Sequence, residues 1–185
     1  MFCIVPINDL VIIKPKKFVF ELGDVITREL NSRFSNRVLY KVGLCISVWD
    51  ITSIVSFRLI CFRPFVDEVI IGSVKNCTKE GIQVSLNFFD DIFIPAAKLK
   101  HPSKFDYEQQ TWIWEYENEG EIAELRIEKN DSIRFRVDQE IWQDPNPIGG
   151  KNDQTDLISF GFKSPYVIFG SIAADGLGLT CWWIN

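Results

Sequence analysis

Acid–base chemistry near neutral pH usually draws on histidine, and this 185-residue chain holds only one, His101. His101-Pro102 follows Lys98 and Lys100, a lysine-flanked turn that reads as surface rather than as a catalytic centre. Asp90-Asp91 could in principle hold a divalent ion, but adjacent acids at a hairpin read more simply as solvated turn residues. The five cysteines, Cys3, Cys45, Cys61, Cys77 and Cys181, show no Cys-x-x-Cys spacing. Their odd number fits reduced core thiols better than a disulfide framework, and with one histidine it argues against a metal site. A Walker glycine loop, a dinucleotide fingerprint, a His-Glu-x-x-His pair and a Gly-x-Ser-x-Gly elbow are all missing from the sequence. The expectation is a non-catalytic protein with no cofactor and no metal.

The constellation that could carry function is aromatic and basic. Phe88, Phe89 and Phe93 lie close in sequence to Lys75, Lys79 and Lys98. Rings that stack on bases, combined with lysines that meet phosphates, are how small barrels hold single-stranded nucleic acid. Arg134 and Arg136 form a second basic pair that could bind RNA instead. The same phenylalanines also suit a core: Ile92 and Ile94 alternate with Phe93, so either face of that segment could be the inner one.

Charge is divided along the chain. The net charge is −5, yet residues 1–66 hold nine Lys and Arg against five acids, and the remainder holds eleven against twenty. Most of the excess lies in residues 106–128, with eight acids and one base, Arg126. The acidic total therefore argues against a general phosphate-binding protein without excluding a local nucleic-acid surface. Within that stretch Glu115, Glu117, Glu119 and Glu121 alternate, which fits a solvated strand face better than a docking site for a basic partner. Hydrophobic residues make up 46% of the chain, including 15 Phe and 6 Trp, enough for packed cores and for aromatic surface that a partner could cover. No apolar run reaches the roughly 18–20 residues that span a bilayer, and the opening segment lacks the basic start of a secretory signal, so a soluble, intracellular protein is expected.

The elements that must position these residues fall into two groups. A strand from Phe2 to Ile13 precedes a helix over about residues 24–36. Asp24 is its expected N-cap, and Ile26, Leu30 and Phe34 lie on one face at i, i+4, i+8. Strands over Val42–Asp50 and Ser56–Phe65 complete a β-α-β-β unit of residues 1–66, an α+β domain. From residue 67 onward the pattern is strand-like. Val69–Asn76 and Ile82–Leu86 flank a turn whose Gly81 can take positive φ, and Ile92–Pro95 leads to a short helical piece, Ala96–Leu99. Thr111–Tyr116, Glu121–Ile127, Ser132–Trp142 and Tyr166–Ala173 follow as strands, and Asp144–Pro165 reads as a flexible insert. Short strands with one brief helix after the third match an all-β OB-fold barrel over residues 67–185.

Particular strings add a family. Phe57-Arg58-Leu59-Ile60-Cys61-Phe62-Arg63-Pro64-Phe65 with Glu68-Val69-Ile70-Ile71-Gly72 resembles the domain junction of the RNA polymerase stalk family, which comprises the archaeal stalk protein and the larger stalk subunits of the three nuclear polymerases. Val42-Gly43-Leu44-Cys45-Ile46 and Gly170-Ser171-Ile172 also fit. Within the family, Glu80–Leu86 leading to Phe88–Pro95, Trp112–Glu115, Ile133–Arg136 and the tail Gly176–Leu179 ending in Trp182-Trp183 resemble the polymerase III branch. The resemblance implies a nuclear, non-catalytic subunit with an N-terminal tip domain docked on the polymerase III core. It also implies a C-terminal OB barrel beside nascent single-stranded RNA, an obligate small helical stalk partner and a role in initiation. The family usually carries a longer tip loop than Ile51–Ser56, and a longer counterpart of Asp144–Pro165. Lys14, Lys16, Lys17 and Phe18 then stand as the anchor on the core. The competing readings are a free-standing OB-fold RNA-binding protein and the equivalent stalk subunit of another nuclear polymerase.

Overall fold

The computed structural model describes residues 1–13, 15–17, 19–51, 56–118, 121–143 and 164–183. The chain divides into two units, Met1–Pro64 and Phe65–Asn185.

In the first unit β1 (Phe2–Asn8) alternates strictly, with Cys3, Val5 and Ile7 turned inward and Phe2 and Ile4 outward. It ends at Asn8 rather than Ile13. Asp9 interrupts the ladder, accepting a bond from the Leu10 N–H at 2.8 Å and pairing with Arg33 at 2.9 Å. Helix α1 (Leu22–Phe34) buries Val25, Ile26 and Leu30, the face that the i, i+4 spacing marks out. Asp24 is not its N-cap: Glu21 holds that position without a side-chain bond, and Asp24 lies in the first turn, where a carboxylate still complements the helix dipole. At the other end the Asn31 side-chain oxygen accepts from the Val48 N–H and from the Ser35 hydroxyl, both at 2.9 Å, tying helix to sheet. Strands β2 (Arg37–Leu39), β3 (Gly43–Ile51) and β4 (Ser56–Phe62) complete an antiparallel sheet in the order β1-β4-β3-β2. Ile26 and Leu30 pack on Cys45, Phe57, Leu59 and Cys61, so one sheet face is covered by one helix.

In the second unit β5 (Val69–Thr78), β6 (Gly81–Ser85), β7 (Ile92–Pro95), β11 (Ser132–Trp142) and β12 (Tyr166–Ser171) close a barrel. The closure rests on two pairings, β12 antiparallel to β11 and β12 parallel to β7 through Ile168–Ile92 and Phe169–Phe93. Ile82, Val84, Ile92, Ile94, Ile133, Phe135 and Val137 have no exposed surface. The β5–β6 turn needs Gly81. Its φ is +152°, and a Cβ there would stand 2.2 Å from the Ile94 carbonyl oxygen. A 3-10 turn, Ala96–Lys98, follows the third barrel strand, as expected. The α+β unit followed by an OB-type barrel is therefore the observed architecture.

Between the third and fourth barrel strands lies a separate three-stranded meander, β8 (Ser103–Asp106), β9 (Thr111–Asn118) and β10 (Glu121–Ile127). The expected strands over Thr111–Tyr116 and Glu121–Ile127 thus belong to a second sheet, and β8 is a strand that the sequence pattern does not announce. The short β13 (Gly178–Leu179) adds to β11, and the turn Thr180–Trp183 follows. The expected insert 144–165 lies almost wholly outside the described residues. No helix among the described residues is long and apolar enough to cross a membrane.

Candidate nucleic-acid and partner interfaces

The turn between β6 and β7 is organised by Asp90. Its carboxylate pairs with Lys75 at 2.8 Å and accepts the Ser85 hydroxyl at 2.5 Å, while its carbonyl accepts from Gln83 at 3.1 Å. Lys75 first, then Ser85, hold the Asp90 carboxyl below the usual carboxylate range. The side chain is used within the turn rather than aimed at an ion.

This turn spreads the three phenylalanines apart. Phe88 is 44% exposed, whereas Phe89 and Phe93 are 5% and 4% exposed. Phe89 packs against Tyr166 at 5.6 Å between centroids, and Phe93 meets Phe169 edge-on at 6.0 Å. Phe93 joins Val167 and Phe169 in an apolar cluster backed by Ile141. The stacking role expected of Phe89 and Phe93 needs open ring faces, and both rings are spent on packing. Phe88 is the most exposed of the three.

The cations lie beside acids. Lys79 pairs with Glu80 at 3.7 Å, Lys98 with Asp138 at 3.2 Å and Arg136 with Asp67 at 3.7 Å, while Arg134 donates to the Gly176 carbonyl at 3.3 Å. These ion pairs are exposed, so each contributes little to stability, and a phosphate can replace the carboxylate at small cost.

In the first unit Lys16 and Lys17 occupy the turn Pro15–Lys17, with Lys17 paired to Glu29 at 2.5 Å. Lys14 and Phe18 lie outside the described residues. Around this turn Leu10, Ile12, Val19, Phe20 and Leu22 are exposed. Sequence reasoning singles out the lysines and passes over these apolar neighbours. The signal is partial: Leu10 and Ile12 continue the outward parity of β1 and Leu22 falls in series with Ile26 and Leu30, so only Val19 and Phe20 stand outside both patterns.

The cysteines are core residues in the main. Cys45 and Cys61 face each other across β3 and β4, and Cys61 is pushed far up by its bond with Cys45 and by burial. Burial pushes Cys77 up to about 11.

The aromatic tail forms the most elaborate side-chain arrangement in the second unit. Trp182 packs on Trp114 at 5.1 Å, and Trp114 on Tyr116 at 5.0 Å. Lys100, read from sequence as the flank of a surface turn, is 5% exposed. Its ammonium donates to the Ala174 carbonyl at 2.9 Å and stands 3.4 Å from Asp175. It also lies 5.3 Å from the Trp114 ring centre and 5.4 Å from that of Trp183. Gly178 permits the closure. Its φ is +109°, and a Cβ would stand 2.4 Å from Trp182.

An α+β unit followed by a closed OB-type barrel defines the class of two-unit proteins to which the chain belongs. Residues 68–183 match the family described as RNA polymerase III subunit Rpc25, and residues 8–56 match the SHS2 domain found in the N terminus of Rpb7p/Rpc25p/MJ0397. The chain is 41% identical to DNA-directed RNA polymerase III subunit RPC8 of Bos taurus, with all of both chains covered. It is 35% identical to the RPC8 protein of Saccharomyces cerevisiae, covering 99% of this chain and all of the other. It is also 23% identical to DNA-directed RNA polymerase subunit Rpo7 of Saccharolobus solfataricus, covering 74% and 81%. The chain belongs to the RNA polymerase III subunit Rpc25 family, a family of stalk subunits and not of the catalytic one. The bovine alignment runs over 203 positions, so that relative has residues with no counterpart in these 185.

Proposed function

We propose that this chain is the larger, non-catalytic stalk subunit of nuclear RNA polymerase III. In this reading it pairs with a small helical stalk partner, docks on the polymerase core through its first unit, and presents its barrel to nascent RNA during initiation. The observation that carries the reading is full-length likeness to the RPC8 proteins, which spans both units rather than the barrel alone. A free-standing OB-fold binder would not call for the basic α+β unit.

Two surfaces support the division of labour. On β5 the outward residues Val69 and Ile71, with Phe65 and Val66 before them, leave an exposed apolar row suited to a helical partner. The turn of Lys16 and Lys17, with the Lys14 and Phe18 positions beside it, would meet an acidic surface on the core. The test is purification from native extract. Co-elution with the polymerase and a small subunit is expected, and recovery as a lone monomer at physiological salt would overturn the proposal. Ile71→Asp should release the small partner while leaving the barrel folded. Charge reversal at Lys14, Lys16 and Lys17 should weaken core recruitment and spare the dimer.

For RNA, Lys75, Lys79 and Lys98 would meet phosphates with Phe88 as the stacking ring, and Arg134 and Arg136 are the second basic pair. A few such contacts predict a shallow salt dependence, a slope of about −0.7 per phosphate neutralised on a single strand. Alanine at the three lysines should flatten that slope. An unchanged slope would move RNA to Arg134 and Arg136 or to the partner.

A further inference from the structure

Trp114, Trp182 and Trp183 do more than pack around Lys100. With Tyr116, Leu125 and Asp175 they line a cavity of about 400 Å³, a size that admits one long side chain with part of its backbone. An adjoining cavity of about 330 Å³ shares Trp114 and Tyr116 and is walled by His101, Glu115, Glu117 and Ile122. Both lie along the small β8–β10 sheet, within the second unit. Strand β10 pairs with β9 alone among the described residues, so its other edge is open to an extended chain.

The chemistry of the walls selects an occupant. These rings already hold one ammonium, that of Lys100, between Trp114 and Trp183. Lys100 is satisfied internally by the Ala174 carbonyl and Asp175. Asp175, however, keeps its side chain fully in solvent at the cavity rim, where it can accept a second cation. Residues 106–128, which form most of this sheet, carry eight acids and one base. Lys104 offsets Glu115 and Glu124, and Arg126 offsets Asp106 and Glu124, while Glu117 and Glu121 remain on exposed surface. Aromatic faces with a rim carboxylate and a negative surround favour a guanidinium or ammonium and oppose phosphate.

We propose that this pocket receives an arginine or lysine side chain from an extended basic segment of another protein, laid along the open edge of β10. The site does not depend on the RNA reading, because it lies on a different sheet from Lys75, Lys79 and Phe88.

The test uses the full chain with its co-purified partner and an octapeptide of alternating arginine and alanine, followed by tryptophan fluorescence and calorimetry. Saturable binding is expected. It should weaken about tenfold in Trp182→Ala, the size of a partly desolvated cation–π contact. It should weaken about threefold in Asp175→Asn, the size of an exposed ion pair. Asp67→Asn removes one exposed charge outside both the pocket and residues 106–128 and should leave binding within error. Because Trp182→Ala could loosen the tail and Asp175→Asn takes a carboxylate from Lys100, melting temperatures are measured first and binding is compared where each variant is fully folded. Asp175→Asn, which keeps the side-chain size and the Ala174 bond to Lys100, is the deciding variant. Equal weakening by Asp175→Asn and Asp67→Asn, or no saturable binding, would overturn the proposal. So would quenching of the pocket tryptophans by oligouridylate that tightens in Asp175→Asn, which would assign the rings to RNA.

Discussion

The two units solve the same problem, burying a sheet, in opposite ways. The barrel has its core strands paired on both sides, and its interior side chains have no exposed surface. The first unit is an open sheet with two edges, one face under a single helix, and the other face showing Phe2 and Ile4. A closed barrel removes edges, so the apolar row on the outside of β5 sits on strands already paired, whereas an open sheet covered on one side keeps two unpaired edges beside its exposed apolar face. The comparison leads to the expectation that the barrel unit is the harder of the two to open, because every barrel strand is paired on both sides.

The largest expected effect lies in the barrel. Phe135→Ala empties the closed interior beside Gly170, where an added Cβ would stand only 2.8 Å from that ring, and should cost about 3–5 kcal/mol. Hydrogen exchange resolved by peptide should show β5, β11 and β12 losing protection while α1 keeps its own. Equal loss in α1 would break the comparison. Next comes Leu30→Ala, 1% exposed, expected to cost about 2–4 kcal/mol, toward the lower end because a helix on an open sheet can settle into the gap. Its loss of protection should be confined to α1 and strands β1–β4.

Cysteine alkylation gives a milder test without mutation. Cys181 is exposed and should react first. In sub-denaturing urea Cys45 and Cys61, in the open-sheet core, should then be labelled before Cys77 in the barrel unit, as read by mass spectrometry. The reverse order would mean that the barrel is the weaker unit.

The smallest effect is at Asp90. Its folded carboxyl titrates below the ordinary value of 3.8, so its contribution is complete above that value and lost as pH falls through the lower folded one. Asp90→Asn should therefore lower the denaturation midpoint slightly at pH 7, and the two proteins should converge once the pH falls below the lowered folded value. A difference that persists in acid would place the effect in the turn geometry rather than in the charge.

Much of this was legible in one dimension because it is periodic. Ile26, Leu30 and Phe34 mark a helix face, and Ile82 and Val84 against Gln83 and Ser85 mark a half-buried strand. Gly81 marks a turn whatever surrounds it, since steric rules for positive φ are local. Family strings such as Phe57–Phe65 carried the identification, since they preserve order along the chain. Three things required the folded chain. Phe88 and Phe89 are neighbours of the same type, yet only the packing against Tyr166 makes one core and leaves the other exposed. Barrel closure depends on the parallel pairing of Ile92 and Phe93 with Ile168 and Phe169, some seventy-five residues apart along the numbering, and no local pattern encodes which strand meets which. Lys100 looked solvated because lysine usually is. Its burial depends on a carbonyl, a carboxylate and two tryptophan rings arriving from distant segments, and long-range electrostatics of that kind exist only once the chain has folded.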